Sequence, residues 1–159
     1  MKLSKRQRKY FLIYLLVFGS ISLYHYYHSR FQSEISYSEH TEKYEVSYRY
    51  ILDGDTAVFL LDNQEVTVRF LAVDAPEYGE DGFEEAKEFT DRSLRQAKQI
   101  LLELDPASDR YDRYDRLLAW VWIDGELLQA KLVENDLVSI RYLYGTYLYT
   151  DYLYQLNKK

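Results

Sequence analysis

Thr56-Ala57-Val58-Phe59-Leu60-Leu61, then Asp62-Asn63-Gln64, then Glu65-Val66-Thr67-Val68-Arg69-Phe70-Leu71-Ala72: two apolar, β-branched runs flank a short polar break. In the second run Val66, Val68, Phe70 and Ala72 fall on one side and Thr67, Arg69 and Leu71 on the other. That period of two belongs to a strand with one buried face. The break is a turn, so the two runs pair as an antiparallel hairpin. A Tyr- and Val-rich run, Tyr44 to Leu52, precedes them and is set off by Asp53-Gly54-Asp55, which makes it a third strand. Here Gly54 reads as the residue that permits a backbone turn.

Outward from the hairpin the pattern changes. Pro76 and Gly79 stop the strand, and Asp81 with Glu84 has the spacing of a capping box for a helix running to about Gln99. Phe83, Ala86, Thr90, Leu94, Ala97 and Leu101 recur every three or four residues, which marks a core-facing stripe. Ile100 to Leu104 is equally a helix end or a strand. Asp105 to Asp115 is a polar loop, and Leu117 to Ile123 carries Trp120 and Trp122 at strand spacing. After the Asp124-Gly125 turn come a short helix over Leu128–Asn135, a strand from Leu137 to Leu143, and helical spacing over Thr146–Leu156. Five short strands interleaved with helices predict an α+β domain, mainly β, built as a small barrel with helices packed around it.

The chain has 159 residues, room for one domain and an appendage. With 47% hydrophobic and 29% charged residues it is neither disordered throughout nor a polytopic membrane protein. It has no cysteine, which removes disulfides, zinc-thiolate sites and thiol nucleophiles and leaves oxygen or three histidines to hold any metal. A hard cation is favoured on that ground. Five of the 20 basic residues and none of the 26 acidic ones fall in the first 27 positions, so residues 28–159 carry a net charge of −11. Such a surface argues against nucleic-acid binding through a broad basic face and leaves room for a local basic site.

Residues 1–9 form a basic cluster, and 10–27 an apolar, aromatic run of about the length needed to cross a bilayer once. We read 10–27 as a transmembrane anchor with the basic end cytoplasmic and everything after it extracytoplasmic. A cleaved signal peptide is the alternative, which would make the protein secreted, although no A-x-A-like cleavage box follows. Residues 28–43 are polar, aperiodic and linker-like, and 44–159 form the folded domain.

The polar residues with chemical potential lie at strand ends. Antiparallel pairing brings the start of Thr56–Leu61 beside the end of the next strand, so Asp55 approaches Asp74. Two carboxylates with nearby carbonyls make a calcium site; taken alone, Asp-Gly-Asp is also an ordinary solvated turn. Arg69 has an ion pair with one of those acids as its plain reading, and Arg113 and Arg116 are equally solvated loop residues.

Three motifs in order carry more. Ile51-Leu52-Asp53-Gly54-Asp55-Thr56, Val68-Arg69-Phe70-Leu71-Ala72-Val73-Asp74-Ala75-Pro76-Glu77 and Asp112-Arg113-Tyr114-Asp115-Arg116-Leu117-Leu118-Ala119 together resemble the staphylococcal nuclease (thermonuclease) family, from about Tyr44 to Tyr144. The resemblance implies an OB-fold five-stranded barrel with about three packed helices that cleaves DNA and RNA phosphodiesters with calcium and little sequence preference. It implies that Asp55 and Asp74 are calcium carboxylates, that Ala75 gives its backbone carbonyl, and that Asp53 is an outer-shell acid. Glu77 matches the general base, Arg69 and Arg116 the arginines on the scissile phosphate, Arg113 and Tyr114 contacts to a terminal phosphate, and Tyr142 and Tyr144 the walls of a nucleotide pocket. The sequence departs from the family in three places: Asp115 stands where Gly is usual, the segment from Glu77 to Phe89 is short and not lysine-rich, and the C-terminal helix is short. The expected protein is thus a membrane-tethered, calcium-dependent nuclease acting on DNA and RNA, with no protein partner inferred. A non-catalytic nucleic-acid-binding module of the same family is the alternative.

Overall fold

The computed structural model describes Gly19 and residues 41–157. Apart from Gly19, the basic N-terminus, the expected anchor 10–27 and the linker up to residue 40 lie outside the described residues, among which no helix is long and apolar enough to cross a membrane.

Nine strands and three helices follow one another among the described residues: β1 Lys43–Glu45, β2 Ser47–Asp53, β3 Thr56–Leu61, β4 Gln64–Phe70, β5 Val73–Asp74, α1 Phe83–Gln96, β6 Ile100–Glu103, β7 Leu117–Ile123, β8 Glu126–Leu127, α2 Leu128–Glu134, β9 Ser139–Ile140 and α3 Thr150–Leu156. The fold is mixed α+β. Pairing runs β1-β6-β7-β4-β3-β2, antiparallel except for the parallel β4–β7 pair. β1 and β2 are one stretch of chain interrupted at Val46, whose amide bonds the Ile100 carbonyl at 3.1 Å. The two ends of the pairing order are therefore joined through the chain itself and the sheet curls shut.

The hairpin forms as its alternation predicts. Asp62 and Asn63 take φ of 50° and 63°, the left-handed pair of a two-residue hairpin turn, and Leu61 faces Gln64. Val68 and Phe70 point into the core, which also holds Phe59, Trp120, Leu102 and Leu132. Phe83, Ala86, Thr90 and Leu94 form the buried stripe of α1. Gln129 is fully buried on α2 and continues the β7 ladder with its side chain, donating to the Ala119 carbonyl and accepting from the Val121 amide, each at 3.1 Å.

One open alternative is settled and three expectations are corrected. Ile100 to Leu104 resolves as β6, since both its edges find partners in β1 and β7. The strand expected over Leu137–Leu143 shrinks to Ser139–Ile140: only two-residue β5 offers it an edge, and left-handed φ at Asp136 and Tyr142 turns the chain away on either side. No capping box forms. α1 starts after Gly82, at φ 88° and with no side-chain cap, and Glu80 bonds the Glu77 amide instead. α3 begins at Thr150 rather than Thr146. Gly54 also serves a different purpose from the one its sequence context indicates. Its φ lies outside the left-handed region, and a Cβ there would sit 2.7 Å from the Ala75 Cβ and 2.8 Å from the Ala86 Cβ, so it is glycine for space.

Candidate active site

β5 ends in Asp74 beside the start of β3, and that placement brings the two motif carboxylates onto one nitrogen. Arg69 Nη2 lies 3.1 Å from Asp55 Oδ2 and 3.2 Å from Asp74 Oδ1. Its Nη1 donates to the carbonyls of Phe70 and Val73 at 2.9 and 2.7 Å, so both terminal nitrogens are committed to protein oxygens. The Tyr142 ring lies 5.7 Å from the guanidinium carbon. Tyr142 holds this place at φ 59°, an outlier for a bulky residue. The Asp74 charge, with some burial, keeps its phenol above its usual pKa range.

Asp55 is 4% exposed. Its Oδ2 also accepts the Ala75 amide at 2.6 Å and its Oδ1 the Thr56 hydroxyl at 3.1 Å. Burial pushes this carboxyl well above the usual carboxylate range, with Arg69 and the Ala75 amide pulling the other way. A further positive charge beside it would reverse that shift. Asp53 accepts the Asp55 amide at 3.1 Å. Two converging carboxylates and the carbonyls beside them are hard oxygen donors and fit calcium in kind. Among the described residues no group of three or more acids and histidines is close enough to hold a metal, so carbonyls and water would complete such a shell.

The second arginine stands on a tight turn built by Asp112. Oδ1 of Asp112 accepts the amides of Tyr114 and Arg116 at 2.9 and 3.0 Å, and Oδ2 takes Arg116 Nε and Nη2 at 2.7 Å each. Burial opposes ionisation of Asp112, but these donors outweigh it and hold its carboxyl below the usual range. Asp115 sits on this turn at φ 61°, a conformation that glycine adopts freely. Tyr114 lies under Arg113 and Arg116, at 4.7 and 5.3 Å from ring centre to guanidinium carbon, and accepts Arg113 Nη2 at 2.6 Å.

All eleven residues singled out from the sequence line one cleft of about 550 Å³. Glu77 is exposed there, and its carboxylate has no partner among the described residues. Tyr144 is 85% exposed. The sequence reading missed Asp112, whose signal was an acid four residues before Arg116, and Tyr147, a buried ring in the cleft wall with no signal apart from its neighbours. A larger cavity of about 780 Å³ lies between Val46, the Asp62-Asn63 turn and the end of α1. Its Arg49 and Arg95 are paired with Glu65 and Asp91, and it contains none of the motif residues.

The profile of the staphylococcal nuclease homologue family matches residues 67–159. The chain is 37% identical over 103 residues to endonuclease YncB of Bacillus subtilis (strain 168), covering 58% of this chain and 46% of that protein. It is 36% identical over 103 residues to the SPbeta prophage-derived endonuclease YokF of the same organism, covering 58% and 33%. It is 32% identical over 119 residues to the thermonuclease of Staphylococcus hyicus, covering 69% and 66%. The chain thus spans about half of the first relative and less than two thirds of each of the others.

Proposed function

The chain belongs to the staphylococcal nuclease homologue family, and from that premise we propose that it is a calcium-dependent nuclease, hydrolysing phosphodiester bonds of DNA and RNA with little sequence preference. The observation that carries this reading is the convergence of Asp55, Asp74 and Arg69 at one point in a cleft that also holds Arg113, Arg116 and an unpartnered Glu77. Within this reading the curled sheet is an OB-fold barrel whose five strands are β1 with β2, β3, β4, β7 and β6.

Asp55, Asp74 and the Ala75 carbonyl would hold calcium, with Asp53 acting through the Asp55 backbone. When bound, the ion supplies Lewis-acid polarisation of the phosphoryl oxygen and a place for the attacking water. Arg116 brings a guanidinium already oriented by Asp112, with Nη1 left over for a phosphate oxygen. Arg69 presents its charge from a site fixed by two carbonyls, and charge that grows on the phosphate in the transition state is what both arginines stabilise. Glu77, exposed and unpaired, takes the proton from water. Tyr114, Tyr142 and Tyr144 offer faces to bases without reading sequence.

The basic cluster and apolar run of residues 1–27 support tethering to a membrane with the catalytic domain on the extracytoplasmic side. Incubating the purified chain with single- and double-stranded DNA and RNA, with calcium and with a chelator, tests the enzyme. We expect calcium-dependent cleavage, lowered a hundredfold or more, on the order of a lost general base, in Glu77→Gln. Oligonucleotide binding with no cleavage by a folded wild-type chain would favour the binding module instead.

A further inference from the structure

Two buried acids take no part in the chemistry above. Glu103 ends β6, Asp105 follows two residues later, and they are 0% and 5% exposed; neither lines the cleft. Each accepts an indole N–H from β7: Trp122 Nε1 donates to Glu103 Oε2 at 2.7 Å and Trp120 Nε1 to Asp105 Oδ2 at 2.8 Å. The same two oxygens take a second donor from the segment leading into α3. The Tyr149 hydroxyl reaches Glu103 Oε2 and the Leu148 amide reaches Asp105 Oδ2, both at 2.8 Å. The Tyr149 ring stands edge-on to both indoles, with centroids 5.1 and 5.3 Å apart. Thr41 and Lys43 on Glu103 Oε1, and the Ala107 amide on Asp105 Oδ1, complete the two carboxylates. Buried carboxyl groups supplied with this many donors hold their geometry firmly.

What they hold is the end of the loop that forms the cleft's tyrosine wall. From Tyr142 to Tyr147 no backbone N–H donates to any described residue, so the loop's backbone is tied at its ends, while inside it the Tyr142 ring lies against Arg69 and the Tyr147 ring is buried. At the first end β9 pairs with β5 and the Arg141 amide bonds the Ala72 carbonyl at 3.0 Å. At the second end stand the Leu148 amide and Asp105. In between, Gly145 passes close to the turn that follows Asp105, where an added Cβ would lie 3.6 Å from the Ala107 carbonyl.

We propose that Asp105, supported by Glu103, is a positioning residue for Tyr142, Tyr144 and Tyr147: it fixes the loop that carries them and so sets the affinity for substrate bases without touching substrate. The proposal rests on the cleft receiving nucleic acid. Its partner chemistry is an unpaired nucleotide with an exposed base face, as the tyrosine wall offers stacking and no base-edge code.

The test uses the full chain, as wild type, Asp105→Asn and Tyr149→Phe, below their melting temperatures. Chymotrypsin nicking after Tyr142 and Tyr144 reads the loop directly, and the Kd of an unpaired oligonucleotide in chelator reads the wall. In Asp105→Asn nicking speeds up about tenfold and Kd rises about tenfold, on the order of one stacking contact. With calcium, KM for the same oligonucleotide rises in step and kcat stays within twofold. Tyr149→Phe, which keeps its ring between the indoles, gives smaller changes in the same direction. Unchanged nicking overturns the proposal whatever the activity, and so does faster nicking at unchanged Kd and KM. A lowered kcat at constant KM marks a merely structural role and overturns it too. A wild-type chain that binds the oligonucleotide and never cleaves it sinks the hydrolytic reading and leaves the Kd and nicking comparison to decide this one; a wild-type chain that does not bind sinks both.

Discussion

Gly54→Ala replaces the smallest residue of the first motif by the next smallest, and the structure assigns the change a definite sign. The new Cβ would meet the Cβ atoms of Ala75 and Ala86 at 2.7 and 2.8 Å, below the 3.0 Å that real Cβ contacts respect. Neither neighbour is the end of a flexible side chain; both are fixed to backbone, one in the site loop and one fully buried in α1. Overpacking of this kind costs about 1–3 kcal/mol. Gly→Ala at an unstrained position otherwise gains about 0.4–1 kcal/mol by stiffening the unfolded chain, so the net loss is roughly 1–2 kcal/mol. For a folded unit of this size that lowers Tm by roughly 3–10 °C in a circular-dichroism melt. Adding Ala86→Gly removes one of the two collisions, and the pair should be more stable than the sum of its single effects, although glycine in a helix itself costs about 1 kcal/mol. The Thr90 hydroxyl bond to the Gly54 carbonyl ties α1 to the same turn, so the displacement reaches Asp55 and Ala75 and lowers cleavage by up to about a hundredfold. A Gly54→Ala melt at or above the wild-type Tm would refute the reasoning, because stiffening of the unfolded chain would then be the only effect left.

Asp115→Gly should relieve a left-handed residue and remove a negative charge beside Arg116; oligonucleotide affinity by fluorescence anisotropy should improve two- to fivefold, the scale of a surface charge effect of about 0.2–1 kcal/mol, and weaker binding would count against the turn's assigned role. Calcium at a hundred times its Kd should raise stability by about 2.7 kcal/mol in the wild-type chain and not in Asp74→Asn; equal melts of the wild type with calcium and with chelator would remove the ion from the account. Binding of single strands in chelator should depend weakly on salt, since Arg69 is then neutralised by Asp55 and Asp74 and, among the described residues of the cleft, Arg113 and Arg116 are left as phosphate partners. Two contacts predict a slope of log K against log salt of about −1.4, and a slope steeper than about −4 would require a basic face that the chain's acidity does not provide.

The sheet was legible where one physical signal acted alone. β3 and β4 flank a turn of two turn-forming residues and pair in the register that the period-two alternation predicts. Ile100–Leu104 was not legible, because four apolar residues around one glutamate fit either a helix or a strand and only the two edges waiting for them in β1 and β7 decide. Leu137–Leu143 failed for the converse reason, strand-like residues with almost no edge to join. At the site, the residue types and their order carried the recognition of Asp55, Asp74, Glu77 and the arginines. Their roles came from resemblance to a family, since no spacing tells an ion-paired arginine from one that meets a phosphate. Asp112 escaped because its work is done through backbone amides, which leave only a faint mark on the side-chain pattern.

The charge of the cleft links these observations. Arg69 stands between two carboxyl groups, so when both are ionised that cluster carries one net negative charge and repels a phosphodiester. Arg141, 3.8 Å from Asp74 and well exposed, offsets this only weakly. A polyanion can therefore approach productively only if positive charge is added at the acids or presented from elsewhere. The chain does the second on the 112–116 turn, where Asp112 spends its charge orienting Arg116 and Tyr114 backs both Arg113 and Arg116. Within the proposed function the first falls to a divalent cation beside Asp55, a buried carboxylate whose ionisation burial opposes. On the proposed function, a domain of net negative charge acts on nucleic acid through a few fixed contacts, and affinity is then limited by the bases its tyrosine wall can stack.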